Sequence, residues 1–119
     1  MANWKPVFLN NYNTRLSSDM GVGTTEMVVM DPLPPLRVNE CYYLTIYDKS
    51  GYQESNWEVV RVTYVSVSGK DLIVERGVEG MTQKEYQIGD RVEMRLTAGI
   101  MNELYCRTRK LKAAQFLDL

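Results

Sequence analysis

Between Cys41 and Arg76 three β-patterned runs are separated by two clusters of turn formers, an arrangement that directs the chain toward an antiparallel sheet. In the first run, Cys41 to Tyr47, Tyr42, Leu44 and Ile46 share one face. Cys41, Tyr43, Thr45 and Tyr47 share the other, so protein is expected to cover both faces. Asp48-Lys49-Ser50-Gly51 reads as a turn. A hairpin follows, with arms Trp57 to Val67 and Leu72 to Arg76 around Ser68-Gly69-Lys70-Asp71, where Gly69 can supply a positive φ. Along its first arm Trp57, Val59, Arg61, Thr63 and Val65 alternate with Glu58, Val60, Val62 and Tyr64, so neither side is cleanly polar.

Turn formers dominate residues 1–23, so an extended N-terminal arm with a short edge pairing is expected, fixed by Trp4 and Phe8. Thr25 to Met30 reads as a strand, ended by Asp31-Pro32 and Pro34-Pro35, which make an extended spacer. Arg91 to Leu96 alternates cleanly, with Val92, Met94 and Leu96 inward and a solvated row of Arg91, Glu93 and Arg95 outward. After Leu96 the period changes. Thr97 can cap a helix over 97–113 whose apolar positions Met101, Leu104 and Leu111 recur at helical spacing, with Ile100 and Tyr105 beside them. Phe116 and Leu117 lie in an apolar tail that could dock on its own core or on a partner. The fold expected is mainly β, a small antiparallel β-barrel or sandwich with a C-terminal α-helix, in a single domain spanning 1–119.

A chain of 119 residues can hold one core, burying roughly two-thirds of its unfolded surface. Its formal net charge of -1 gathers no polyanion, so no direct nucleic-acid binding is expected, and so weak a charge does little to keep copies apart. No stretch approaches the length of an apolar membrane span, and the N-terminus has no secretory pattern, so neither membrane insertion nor export is expected. Cys41 and Cys106 form no framework and read as free, buried thiols.

Candidate chemistry is sparse. Without histidine the chain lacks the commonest neutral-pH base, the histidine-dependent triads and the ordinary zinc sets. Gly21-Val22-Gly23 and Gly69-Lys70 lack the strand and helix context of phosphate-binding loops. Asp31 and Asp48 sit in no calcium-loop pattern. Glu75, Glu79, Glu85 and Asp90 are accompanied by Arg76 and Arg91 and read as a salt-bridged loop rather than a catalytic pair. No catalytic residue, metal or cofactor is expected. Among 8 tyrosines and 2 tryptophans, Tyr43, Tyr47 and Trp57 could form an exposed aromatic platform, the basis of an alternative reading as a glycan-binding module.

The stretch Val74-Glu75-Arg76-Gly77-Val78-Glu79-Gly80, then Tyr86, Gly89-Asp90-Arg91-Val92 and Arg95-Leu96-Thr97-Ala98-Gly99, resembles a pattern of small tailed-bacteriophage and prophage virion proteins. Phe8 to Asn11, Thr14 to Leu16 and Tyr42 to Ile46 are similar to the same family, whereas Met81 stands where it usually has threonine and Tyr86 replaces a frequent tryptophan. The resemblance implies a virion protein assembled in the bacterial host cytoplasm, a tail or fibre/spike-attachment adaptor that contacts other virion proteins and forms a homo-oligomer. A capsid decoration or head-tail joining accessory is its other form. Arg76, Gly77, Glu79, Gly80 and Asp90 are expected to hold a rigid loop by glycine geometry and charge-assisted contacts. Trp4, Phe8, Phe116 and Leu117 are the expected interface residues, aromatics being enriched at interface centres.

Overall fold

The computed structural model describes residues 4–50, 52–95, 97–102 and 105–106, apart from the side chain of Ser50. Its strands are β1 (Lys5–Pro6), β2 (Asn13–Arg15), β3 (Glu26–Val28), β4 (Glu40–Ser50), β5 (Gln53–Val65), β6 (Asp71–Glu75) and β7 (Arg91–Glu93). They form one curled sheet in the order β2-β7-β4-β5-β6-β3, antiparallel throughout except that β1 lies parallel to the start of β4. A bridge between Leu16 and Val29 brings the two ends of this order together, with Ser17 N–H donating to Val28 O at 2.9 Å and Met30 N–H to Arg15 O at 3.0 Å. Curling removes an open edge that would otherwise invite pairing with another chain. The mainly β class with a short C-terminal helix, at 98–102 and 105–106, is as the sequence pattern implies.

The core follows from β4. Tyr42, Leu44 and Ile46 point into the curl and join Val60, Val62, Leu72, Val74 and Val92, so each branched side chain removed from water contributes roughly 1.5–3 kcal/mol. On the opposite face, Cys41 and Tyr43 pack with Val59 and Ile100, and Trp4 and Val78 lean against them. From Cys41 to Tyr47 both faces of β4 are therefore buried, as a run in which only Thr45 is polar implies. Here Ile100 brings the C-terminal helix onto the outside of the sheet.

Several expectations need correction. The segment 1–23 is not an arm in its described part: Thr14, Leu16 and Met20 are buried, and Met20 exchanges two backbone hydrogen bonds with Tyr86 at 2.8 Å. Its polar, turn-rich composition reflects short strands joined by turns, each inward position taken by a single residue. The turn expected at Asp48 to Gly51 is instead strand as far as Ser50, with Lys49 opposite Glu54 and Ser50 opposite Gln53. Proline-rich 32–35 does more than space, because Leu33 is buried and its N–H donates to Gly69 O at 2.8 Å. Gly69 has φ 79, and a Cβ there would come within 2.8 Å of Leu33 O, so the hairpin turn needs glycine for two reasons.

Two register shifts explain why the alternation along β5 is mixed. Between the pairs Ile46–Glu58 and Asp48–Ser55, two residues of β5, Asn56 and Trp57, face Tyr47 alone. Asn56 adopts φ 55, a left-handed conformation that asparagine tolerates. Between Val62 and Tyr64 a second shift at Thr63 turns Tyr64 outward and Val65 inward, opposite Leu72.

Candidate functional site

Arg76, Gly77, Glu79 and Gly80 lie on one loop, which follows β6 and seats the C-terminal helix. Arg76 anchors it. Its guanidinium is buried against the equally buried Glu58, donating from Nε to Oε2 at 2.9 Å and from Nη2 to Oε1 at 2.7 Å. This two-pronged geometry is what a planar guanidinium makes with a carboxylate. The remaining donors serve backbone carbonyls of Gly21 at 2.6 Å, Thr24 at 3.4 Å and Lys84. Glu58 also accepts from Lys84 N–H at 2.9 Å. One ion pair thus ties together the 21–24 turn, β5, β6 and the segment before Tyr86, and no described buried side-chain polar atom lacks a partner.

Downstream of this anchor the backbone bends through three left-handed residues, Gly77 (φ 70), Glu79 (φ 56) and Gly80 (φ 73), around the 3-10 turn Val78–Gly80. Glycine enters this region without a Cβ penalty, whereas Glu79 does so at a cost of roughly 1–2 kcal/mol. The bend turns Val78 onto the second core cluster and brings the Glu79 carboxylate to the start of the helix. Thr97 Oγ1 donates to Glu79, lying 2.8 Å from Oε1 and 3.0 Å from Oε2, while it accepts from Ile100 N–H at 3.2 Å. Thr97 is therefore the N-cap, as its sequence position suggests, and Glu79 adds negative charge where the helix dipole favours it. Gly99 completes the fit, because a Cβ there would lie 2.0 Å from Glu79 Oε1.

Asp90 holds a separate turn: its Oδ2 accepts from Gln87 N–H at 2.8 Å, and its own N–H donates to Gln87 O at 3.0 Å. The loop residues read from sequence thus have structural contacts, but their pairing differs from the one expected. Among the described residues, none of Glu75, Glu79, Glu85 and Asp90 forms an ion pair with Arg76 or Arg91; Glu75 pairs with Arg61 at 2.6 Å. The acid that matters, Glu58, was missed, since its only sequence signal is a carboxylate in step with the inward positions Val60 and Val62.

The aromatic platform does not form. Tyr43 and Tyr47 are 5% and 2% exposed, so their rings offer no face to a ligand, although Trp57 is half-exposed. Tyr47 instead donates to Glu93 Oε1 at 2.6 Å and lies beneath the Arg95 guanidinium, 4.5 Å from ring to cation. Arg95 also pairs with Glu93 at 2.7 Å and Glu54 at 2.9 Å, so two of the three residues in the row expected to be solvated, Glu93 and Arg95, belong to a half-buried network. Burial raises the Glu93 pKa, but hydrogen bonds from Tyr47 and Arg95 outweigh it and hold the carboxyl below its ordinary value. Glu54 is lowered by its hydrogen bonds to Trp57 and Arg95.

Of the interface residues read from sequence, Trp4 leans on the second core cluster with Arg61 5.9 Å from its ring, whereas Phe8 is exposed. Phe116 and Leu117 lie outside the described residues, as does the expected helix from 107 to 113. Cys41 is buried, but Cys106, expected to be buried too, is exposed on the helix beside the exposed Tyr105. Among the described residues no group of three or more histidine, cysteine or acidic side chains has metal-site geometry, and no helix is long and apolar enough to cross a membrane. No protein-family model matches the chain, and no curated protein matches it.

Proposed function

We propose that this chain is a structural adaptor of a tailed-bacteriophage virion, active in tail or fibre attachment through docking on neighbouring subunits. The observation that carries this reading is the seat of the helix: Glu79, Thr97 and Gly99, all within the resembling stretch, fix the direction in which the chain leaves the sheet. A fixed exit is what an adaptor requires, because a partner recognises a preset surface without meeting the ordering cost of a loose one. The helix presents Met101 and Tyr105 to solvent while Ile100 is held inward, and Phe8 is exposed on the sheet body. These apolar side chains are the contacts offered to other virion proteins.

Mass spectrometry of gradient-purified particles tests the reading directly. The chain should co-migrate with the particles in a constant ratio to their other structural proteins. Met101→Glu with Tyr105→Glu should reduce its incorporation at least tenfold, with thermal unfolding of the isolated chain unchanged. Absence from particles, or full incorporation of the double variant, would reject the assignment or the helix contact respectively.

A further inference from the structure

Beyond the helix, the outer face of β2, β7 and β4 carries an unusual charge arrangement. Arg15 and Arg91 stand directly opposite each other on paired antiparallel strands, and Arg91 is in turn opposite Tyr47. Like charges so placed oppose strand pairing. Among the described residues, neither guanidinium forms an ion pair or side-chain hydrogen bond, whereas Arg61, Arg76 and Arg95 each hold a carboxylate. Lys49 joins them along a cleft of about 130 Å3, although it also faces Glu54 across the hairpin.

A second, larger groove of about 430 Å3 adjoins this cleft, and the two share Asp48 and Asp90. Its charged lining consists of Asp19, Asp48, Glu85 and Asp90, with no lysine or arginine. Between the acidic groove and the basic cleft lies the turn bearing Ile88, whose apolar side chain is 62% exposed. The exposed Ile88 thus stands beside a groove whose charges are all acidic and a cleft in which three cations, Arg15, Lys49 and Arg91, outnumber the two shared acids.

We infer that a second copy of this chain docks here across a two-fold axis, with the Arg15–Arg91 cleft of each copy against the acidic groove of the other. A two-fold contact places one patch against itself, so it needs each patch to carry both complementary halves. This patch carries both. A polyphosphate would meet the cleft but be repelled by the adjoining acids, whereas a second copy satisfies both signs at once. Asp48 and Asp90 of the same copy line this cleft without an ion pair to Arg15 or Arg91, and the carboxylates of a second copy offset the cationic excess that remains. Ile88 then meets its own counterpart near the axis and supplies the apolar core. The inference deepens the adaptor reading by naming a contact between copies, and it concerns a surface separate from Met101 and Tyr105.

Sedimentation velocity of the full chain at neutral pH tests it. The wild type should dimerise with rising concentration at about 0.02 M salt and dissociate at about 1 M, where screening acts within a few ångströms. Arg15→Glu with Arg91→Glu, and separately Asp48→Lys with Glu85→Lys, should each weaken self-association at least tenfold. An equimolar mixture of the two variants should restore a dimer, because their altered patches are again opposite in sign. A wild type that stays monomeric at low salt, dimers indifferent to either reversal, or a mixture of folded variants that fails to associate would overturn the inference. None of these results alters particle incorporation through the helix, so the two readings fail separately.

Discussion

Arg76 and Glu58 are both almost wholly buried, and their value to the fold lies in what each would leave behind if the other were removed. Arg76→Ala would strand a carboxylate in the interior, and unfolding in urea should show a loss of roughly 3–5 kcal/mol. Replacing both residues by methionine is often nearly neutral for a simple buried pair. Here it should not be, since Arg76 also serves the carbonyls of Gly21, Thr24 and Lys84, and each carbonyl left unsatisfied costs about 1–3 kcal/mol. A double variant as stable as the wild type would show that those carbonyl contacts contribute nothing. The partner of Arg76 was hard to read from sequence because the nearby acids share its loop, while the one it binds is 18 residues away on another strand.

The network on the outer face makes a prediction about pH. Glu54 and Glu93 have lower pKa values folded than unfolded, so their stabilising effect is complete above the ordinary glutamate value, about 4.3. It is lost as pH falls from that value through the depressed ones, because over that window the unfolded chain binds protons that the folded chain does not. Arg95→Met removes the cation common to both carboxylates. Its melting temperature should be lower than the wild type's at pH 7, and the gap should narrow by pH 3. A gap that stays constant across this range would exclude Arg95 as the source of the shift.

Among the elements, β4 was the most legible, since every residue from Cys41 to Tyr47 is buried and a run without polar alternation has that meaning. The hairpin turn at Gly69 and the Thr97 cap were legible for the same reason, each needing a local residue type at a fixed place. The folding-in of residues 13–20 was not, because its strands are too short to show a period and are set by long-range partners. Nor were the two shifts in β5, where Asn56 and Thr63 look like ordinary strand positions until the partner strand is known.

The seat of the helix shows how such fits can be tested in pairs. Gly99→Ala alone should drive Glu79 off Thr97 and reduce helical signal, since the added carbon and the carboxylate cannot share the space. A Glu79→Ala background removes the three atoms closest to the added carbon, and alanine is worth roughly 0.5–1 kcal/mol over glycine within a helix. Circular dichroism should therefore show Gly99→Ala as harmful alone and helpful in that background. The same sign in both backgrounds would mean that Glu79 does not occupy this space in solution.

Across the whole molecule, the two core clusters divide its stability unequally. Among the described residues, fifteen buried ones fill the interior of the curled sheet and four form the outer cluster, to which the helix brings Ile100. Burying one isoleucine stabilises by roughly 1.5–3 kcal/mol, and ordering each helical residue costs about 1–2 kcal/mol of backbone entropy. The first turn of the helix is held by its cap and its seat, and it should open without unfolding the sheet. Hydrogen exchange should show the Ile100 amide, bound to Thr97 Oγ1, protected far less than the amides of Leu44 and Val60 within the central β4–β5 pairing. Glu79→Ala should remove most of that modest protection while leaving Leu44 and Val60 unchanged. If Ile100 instead exchanged only with the sheet, through global unfolding, helix and sheet would form one cooperative unit.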